Sequence, residues 1–439
     1  MNLRHVASCG LACALLVLIG CDKGRQEPGE VDVRIVNAAP GFIELNYQRE
    51  TREQPSTVTF KGVTEARYDV DSYDFFVFER SGAGSAAPRT WTFSSQLQAE
   101  RAYTFVLTEV AGEIRPVVLE NAAAPAGEAQ IQALHAAAGS PAMDLYLERT
   151  GVGIAGATPR GTFNAQQPIP ARTIATGDYE LFLTEAGNPA NVLLSTTAFA
   201  LTAGVTTTLI VVPEPGLSTP FSVMVVQPTS GVLYDRNATA QLRVINGATD
   251  QAPRDFALNS QFSPPLFSAI PFAEPTATAT IPVGNQTITV TPVGNPGVLE
   301  LNQPFTGILE RSTLLFTGPA GTLTHAITSD DGRRIHNEAK ITFMNAATQF
   351  TGVDFVLVPA GQDQSVIAPV AELPAPGATF SYAPLVPGDY DLYLRQNLAT
   401  TVLSGPTRLT MAAEGIYGVL AVNGPDTATA GVVLFDDFP

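Results

Sequence analysis

The chain has 439 residues, with 24 Lys plus Arg against 41 Asp plus Glu and a formal net charge of −17 at pH 7. An acidic surface repels phosphate backbones, so nucleic acid is a poor partner and no nucleic-acid function is expected. Hydrophobic content of 45% is that of a globular protein, and the length alone allows about three domains at ~150 residues each.

Residues 1–20 read as a targeting segment, to be set aside before the fold is considered. Arg4 and His5 form a weakly basic head, and an apolar run from Val6 to Ile19 follows, ending in Leu18-Ile19-Gly20-Cys21. That run is too short to cross a bilayer as a helix, which needs about 20 residues. A small residue directly before Cys, with Leu and Ile ahead of it, resembles the bacterial lipobox. The resemblance implies cleavage before Cys21 and lipidation of that residue. Cys9 and Cys13 lie inside the segment, so the mature chain has no disulfide framework and its domains must cohere by hydrophobic burial. The acylated Cys21 supplies the membrane anchor, and polar residues 21–30 form a flexible tether. Asp22 resembles the inner-membrane retention signal of enteric-type bacteria, a rule that other bacteria do not follow reliably. The expected location is therefore the bacterial cell envelope, extracytoplasmic, with either membrane open.

From residue 31 onward one pattern recurs four times. "VRIVNAAPG", "IQALHAAAG", "LRVINGATD" and "ITFMNAATQ" align on Asn37, His135, Asn246 and Asn345, which are 98, 111 and 99 residues apart. Nine residues later stand Asn46, Asp144, Asp255 and Asp354. A second landmark follows as "DSYDFFVFE", "GDYELFLTE", "GNQTITVTP" and "GDYDLYLRQ", carrying Tyr73, Tyr179, Gln286 and Tyr390. A third, exemplified by "ERAYTFVLT" and "AEGIYGVLA", precedes a last apolar strand. In "YELFLTE" Tyr179, Leu181 and Leu183 share one face, the period of two that marks a strand. Turn residues punctuate such runs every eight to twelve positions, and no amphipathic helix is evident. Four units of about 100 residues follow: 31–126, 127–232, 233–336 and 337–439. The fold class expected is all-β, four tandem antiparallel β-sandwiches of immunoglobulin-like build. Short linkers suit either a rod of up to roughly 150 Å, at a radius of gyration near 13 Å per unit, or pairwise packing.

These landmarks, a strand running into Asn-Ala-Ala, an Asp nine residues on and a later Gly-Asp-Tyr strand, resemble a family of repeated extracytoplasmic bacterial modules known as domain-of-unknown-function family 4397. The resemblance covers nearly all of the mature chain and is best in the second and fourth units. It implies a fold and a location and no reaction.

The recurring polar residues read as structural. Asn at a strand end hydrogen-bonds its own backbone and starts a turn, and His135 can replace one hydrogen bonder by another. The Asp begins or faces the second strand, where with the Asn it could clamp a loop. Tyr73, Tyr179 and Tyr390 fit the tyrosine corner of sandwich folds, the ring buried and the hydroxyl returned to the backbone. Trp91 in "TWTF" is expected to pack between strands. No metal or cofactor is expected, since His135, His325 and His336 lie far apart without zinc spacing. The acidic turns at Asp69, Asp71 and Asp74, at Asp330 and Asp331, and at Asp436 and Asp437 lack the glycine and closing Glu of a calcium loop. Nucleophile elbow, phosphate loop and dinucleotide fingerprint are all missing, so no catalytic residues are assigned. The expected function is a non-catalytic binding, adhesion or spacer protein that engages envelope proteins or surface polymers. The alternative is a calcium- or glycan-binding surface module using the acidic turns.

Overall fold

A computed structural model describes residues 29–50, 53–80 and 88–436. Cys21, the segment before it, most of the tether and Asp437 lie outside the described residues. Almost everything else is strand and turn; among the described residues the only helical element is the 3-10 turn Gln364–Val366.

The first unit shows the plan. Its strands are β1 (Glu30–Asn37), β2 (Glu44–Arg49), β3 (Ser56–Thr59), β4 (Val63–Asp69), β5 (Ser72–Glu79), β6 (Thr90–Gln96), β7 (Ala102–Val110) and β8 (Glu113–Asn121). They form two sheets, in the orders β4-β1-β7-β8 and β3-β2-β5-β6. Val31, Val33 and Ile35 alternate along β1 into the core between the sheets, where they meet Leu45, Phe75, Val77, Phe105 and Leu107. Each of the other three units repeats this order. The second adds two short strands, Phe199–Leu201 and Gly231–Leu233, one to each sheet. The latter pairs with Phe221–Val226, so the second sandwich runs across the boundary expected after residue 232.

One pair in every unit is parallel. β1 runs alongside β7 from Asp32↔Ala102 to Asn37↔Leu107. Ala129–His135 pairs in the same sense with Thr206–Pro213, Ala240–Ala248 with Arg311–Gly318, and Ala339–Asn345 with Ile416–Asn423. These central strands are buried on both faces and therefore read as continuous apolar runs such as "TTTLIVVP". One face belongs to the unit's own core. The other packs against a neighbouring unit.

That second face builds two pairs. Val36, Val106 and Leu119 of the first unit meet Leu134, Ile210, Val212 and Met224 of the second. A satisfied amide network completes the contact: Gln132 donates to Asn121 and to Thr208, and Asn121 donates 2.8 Å to Thr104. Ile245 and Leu315 of the third unit likewise meet Met344, Leu420 and Val422 of the fourth. The units thus associate face to face in pairs, one of the two arrangements the short linkers allow. The connecting segment 331–338 then lies on the first unit. The N–H of His336 donates 2.9 Å to the carbonyl of Gly41, and Asn337 donates 3.1 Å to Glu79.

A Leu420→Ala change in the third–fourth contact is expected to cost about 2–5 kcal/mol through lost burial and the cavity left behind. Because both units share this contact, calorimetry should show their transitions moving down together. A shift confined to one unit counts against the paired arrangement.

Candidate functional site

The four aligned residues occupy one structural position, the buried exit of the first strand, and make the same hydrogen bonds. The side-chain oxygen of Asn37 accepts from the N–H of Ala39 at 2.9 Å, that of Asn246 from Ala248 at 3.0 Å, and that of Asn345 from Ala347 at 2.9 Å. Each carboxamide nitrogen donates to a carbonyl elsewhere in its unit: Val58 at 3.2 Å, Ala252 and Ile270 at 2.9 and 3.1 Å, and Ala375 at 3.1 Å. In the second unit the imidazole copies the carboxamide. Nδ1 of His135 accepts from Ala137 N–H at 3.3 Å and Nε2 donates to Pro141 O at 3.3 Å. This pattern requires the neutral Nε2–H tautomer, and burial lowers the pKa of His135 accordingly.

The three aspartates on the second strand hold a later hairpin rather than pairing with the asparagines. One carboxylate oxygen of Asp144 accepts from Thr162 and the other from Gly187 N–H at 2.8 Å. Asp255 accepts from the N–H groups of Ala269 and Gly294 at 2.8 and 2.9 Å. Asp354 accepts from Asn397 and from Leu398 N–H at 2.6 and 3.0 Å. Gly187, Gly294 and Leu398 sit in the turn that follows the Gly-Asp-Tyr strand or its counterpart. Asn46 keeps one half of the arrangement, accepting from Thr57 at 2.7 Å.

Tyr73, Tyr179 and Tyr390 donate to the carbonyl four residues upstream: Asp69 at 3.2 Å, Ala175 at 2.8 Å and Val386 at 2.7 Å. Arg149 lies 4.3 Å over the Tyr179 ring. Its guanidinium passes so close to Gly177 that a Cβ there would lie 2.0 Å from Nη1, at a φ of +132° that itself favours glycine. In the third unit Gln286 instead accepts 2.6 Å from Asn259. Two further tyrosines escaped the sequence reading. Tyr103 and Tyr417, at matching places in the third landmark, accept from the N–H groups of Gln98 and Ala412 at 3.1 and 2.9 Å. Each is the second residue of its strand, Ala102–Val110 and Ile416–Asn423, and that recurrence was the available signal.

The acidic turns are largely engaged. Asp71 accepts from Ser72 N–H at 2.7 Å, Asp74 from Ser94 at 2.6 Å, and Asp330 from Thr313. Asp331 pairs with Arg333 at 2.9 Å and faces Lys340, and its pKa stays low despite the opposing effect of burial. Among the described residues no three His, Cys, Asp or Glu side chains gather where they could share a metal ion. No described helix is long and apolar enough to cross a membrane. Trp91 lies on β6, half-buried, donating 2.6 Å to Glu113 and set edge-on to Phe42.

One concavity lies where the sequence offered no motif, between the first and fourth units. It encloses about 700 Å³ and is lined by Phe42, Glu44, Glu79, His336, Glu338 and Tyr390 among others. Burial, reinforced by Glu79 and Glu44 and opposed by Arg80, raises the pKa of Glu338. The charges of this surface are mixed, Glu44, Glu79 and Glu338 against Arg80 and Arg89, and apolar side chains such as Phe42, Ile335 and Leu385 make up much of the rest. No nucleophile with an adjacent base is assembled among the residues lining it.

The domain family described as Domain of unknown function (DUF4397) matches residues 31–146 and 240–356, together more than half of the chain. Each match begins at the first strand of a pair and ends in the second strand of its second sandwich. No curated protein matches. Among solved structures, the Bacillus anthracis TIE protein is similar over 90% of this chain and 69% of its own, at 10% identity and a TM-score of 0.14. The family CBM26 module CBMbc from Eubacterium rectale Amy13K, solved with maltoheptaose, has 12% identity and a TM-score of 0.16. It covers 46% of this chain and 95% of its own. The pilus adhesin SpaC from Lactobacillus rhamnosus GG has 11% identity and a TM-score of 0.15, over 93% of this chain and 40% of its own. Likenesses this distant carry no argument about this chain.

His135→Leu should destabilise the second unit by about 1–3 kcal/mol for each backbone group it orphans, whereas His135→Asn should retain most of the stability. The unfolded chain takes up a proton near pH 6.5 and the folded imidazole does not, so the contribution of His135 to stability should fall as pH drops below about 6.5. Thermal melts at pH 7.5 and 5.5 should show this as a difference between proteins, His135→Asn gaining stability relative to the wild type at the lower pH.

Proposed function

We propose that this chain, which belongs to the DUF4397 family, is a non-catalytic envelope protein that binds, adheres or spaces through its tandem sandwiches. In this reading lipidated Cys21 holds it to the membrane and the sandwiches stand outside the cytoplasm. The observation that carries it is the occupation of the repeated polar groups. Asn37, Asn246, Asn345 and His135, the aspartates, and the corner tyrosines all direct their hydrogen-bonding atoms inward, to turns and strands of their own unit. Residues that recur for that reason are scaffold, and a scaffold repeated four times presents surface rather than a reaction centre.

The surface it presents is of two kinds. Edge strands such as β6 and Asn188–Ser195 are exposed along much of their length, and unpaired strand edges can receive a partner strand. The cleft between the first and fourth units adds a concave, largely apolar face carrying charges of both signs. Partners are then envelope proteins or surface polymers, with no role for nucleic acid.

Capture from native envelopes by the full chain is the test. Deleting the third–fourth pair should abolish capture, while Asp354→Asn or Tyr179→Phe, where folding persists, should leave it unchanged. Loss of capture from one such substitution in a folded protein would overturn the reading. Cys21→Ala should move the protein from the membrane to the soluble fraction. Millimolar calcium against chelator should leave the melting curve unaltered, since a ligand of the native state must raise it. An upward shift would favour the calcium-binding alternative.

A further inference from the structure

We propose that His336 is a pH-sensitive latch between the first and fourth sandwiches, closing their junction as the imidazolium and loosening it as the neutral ring. Nε2 of His336 lies 2.7 Å from an oxygen of Glu109, at the end of β7 in the first unit. Nδ1 lies 2.6 Å from an oxygen of Glu414, in the turn before the strand Ile416–Asn423 of the fourth. An ionised carboxylate only accepts, so each ring nitrogen must carry a hydrogen, and only the imidazolium has two. A neutral ring leaves one nitrogen lone pair against a carboxylate oxygen at hydrogen-bond distance. One of the two ties is then lost and replaced by repulsion.

The seat is built for this ring. The second oxygen of Glu109 accepts from Gly41 N–H at 2.8 Å, and the Phe42 ring stands edge-on to the imidazole at 5.4 Å. A Cβ at Gly41 would come within 2.4 Å of His336 Nε2, so the loop after β1 can approach only as glycine. The charges facing the ring are mixed. Arg334, on the same segment, donates 2.8 Å to the backbone carbonyl of Glu414, and Arg311 lines the adjoining cavity. Both oppose the proton, as burial does. The two carboxylates prevail, and the pKa of His336 is raised, Glu109 contributing most.

The sign follows from linkage. With its pKa raised by closure, the latch contributes fully below the ordinary value near 6.5 and is lost as pH rises through the closed-state value. Each unit between closed- and open-state pKa changes the closed-to-open ratio tenfold. Glu338, two residues on, also has a raised pKa and titrates in the same direction, so it serves as the control. A pH-set latch would govern access to the cleft between the two units.

The test uses the full mature chain labelled at two exposed positions, Gln98→Cys in the first unit and Leu398→Cys in the fourth, with energy transfer followed from pH 5.5 to 8.5. The wild type should change transfer efficiency with a midpoint above 6.5. His336→Gln should lose that transition, Glu414→Gln should lower its midpoint, and Glu338→Gln should retain it. Transfer independent of pH in the wild type, or a midpoint that survives His336→Gln, overturns the latch. A midpoint that follows Glu338 alone does the same. If His336→Gln does not fold, the Glu414→Gln shift decides, because Glu414 is half-exposed in a surface turn.

Discussion

Everything in this molecule depends on the two-sided burial of the parallel central strand pair of each sandwich. Their inner faces close the unit's own core and their outer faces close the contact with the paired unit. Water is excluded where the first strand ends, so the turn that leaves it cannot hydrate its backbone. A buried N–H or carbonyl without a partner costs about 1–3 kcal/mol. A side chain offering one acceptor and one donor at short reach must therefore stand at that point. Asn does so in three units and His135 in the fourth case, and the four residues are all fully buried. The recurrence is the solution to an accounting problem in backbone hydrogen bonds.

The same logic orders the other landmarks. An aspartate on the second strand accepts from backbone N–H groups in the turn that closes the hairpin beyond the Gly-Asp-Tyr strand, more than thirty residues on. The tyrosine that enters this strand returns its hydroxyl to the carbonyl four residues back. These contacts fix where loops sit. Loops fixed in this way can carry binding surfaces without the framework residues ever touching what is bound.

The relation between the pairs obeys a different physics. Within a pair the contact is mainly apolar, with a buried amide network added in the first pair. Between pairs the described contacts are largely polar: Glu109, His336 and Glu414, Asn337 with Glu79, Arg333 with the carbonyl of Phe42. Polar contacts at a half-exposed junction are worth less and respond to pH and salt. The pairs are thus the durable units, and the junction between them is the place where conditions can act.

How much of this was written in the sequence differs by element. Strand periodicity, unit length and the spacing of Asn, Asp and Tyr are local properties, and they sufficed for an all-β chain of four sandwiches. The tyrosine hydrogen bond spans four residues and was legible for the same reason. The aspartate's hairpin was not, because its partners lie about forty residues away. Tyr103 and Tyr417 were passed over because their strand was read for its apolar content alone. His336 appeared only as one of three scattered histidines, and nothing near it in the chain announces Glu109, 227 residues earlier. Sequence by itself determined the strands, the turns and the residues that tie one to the other, since those are set by backbone geometry over a few positions. Only the tertiary structure decided which outer faces pair, where the cleft opens and what surrounds His336, because these follow from how finished sheets meet in space.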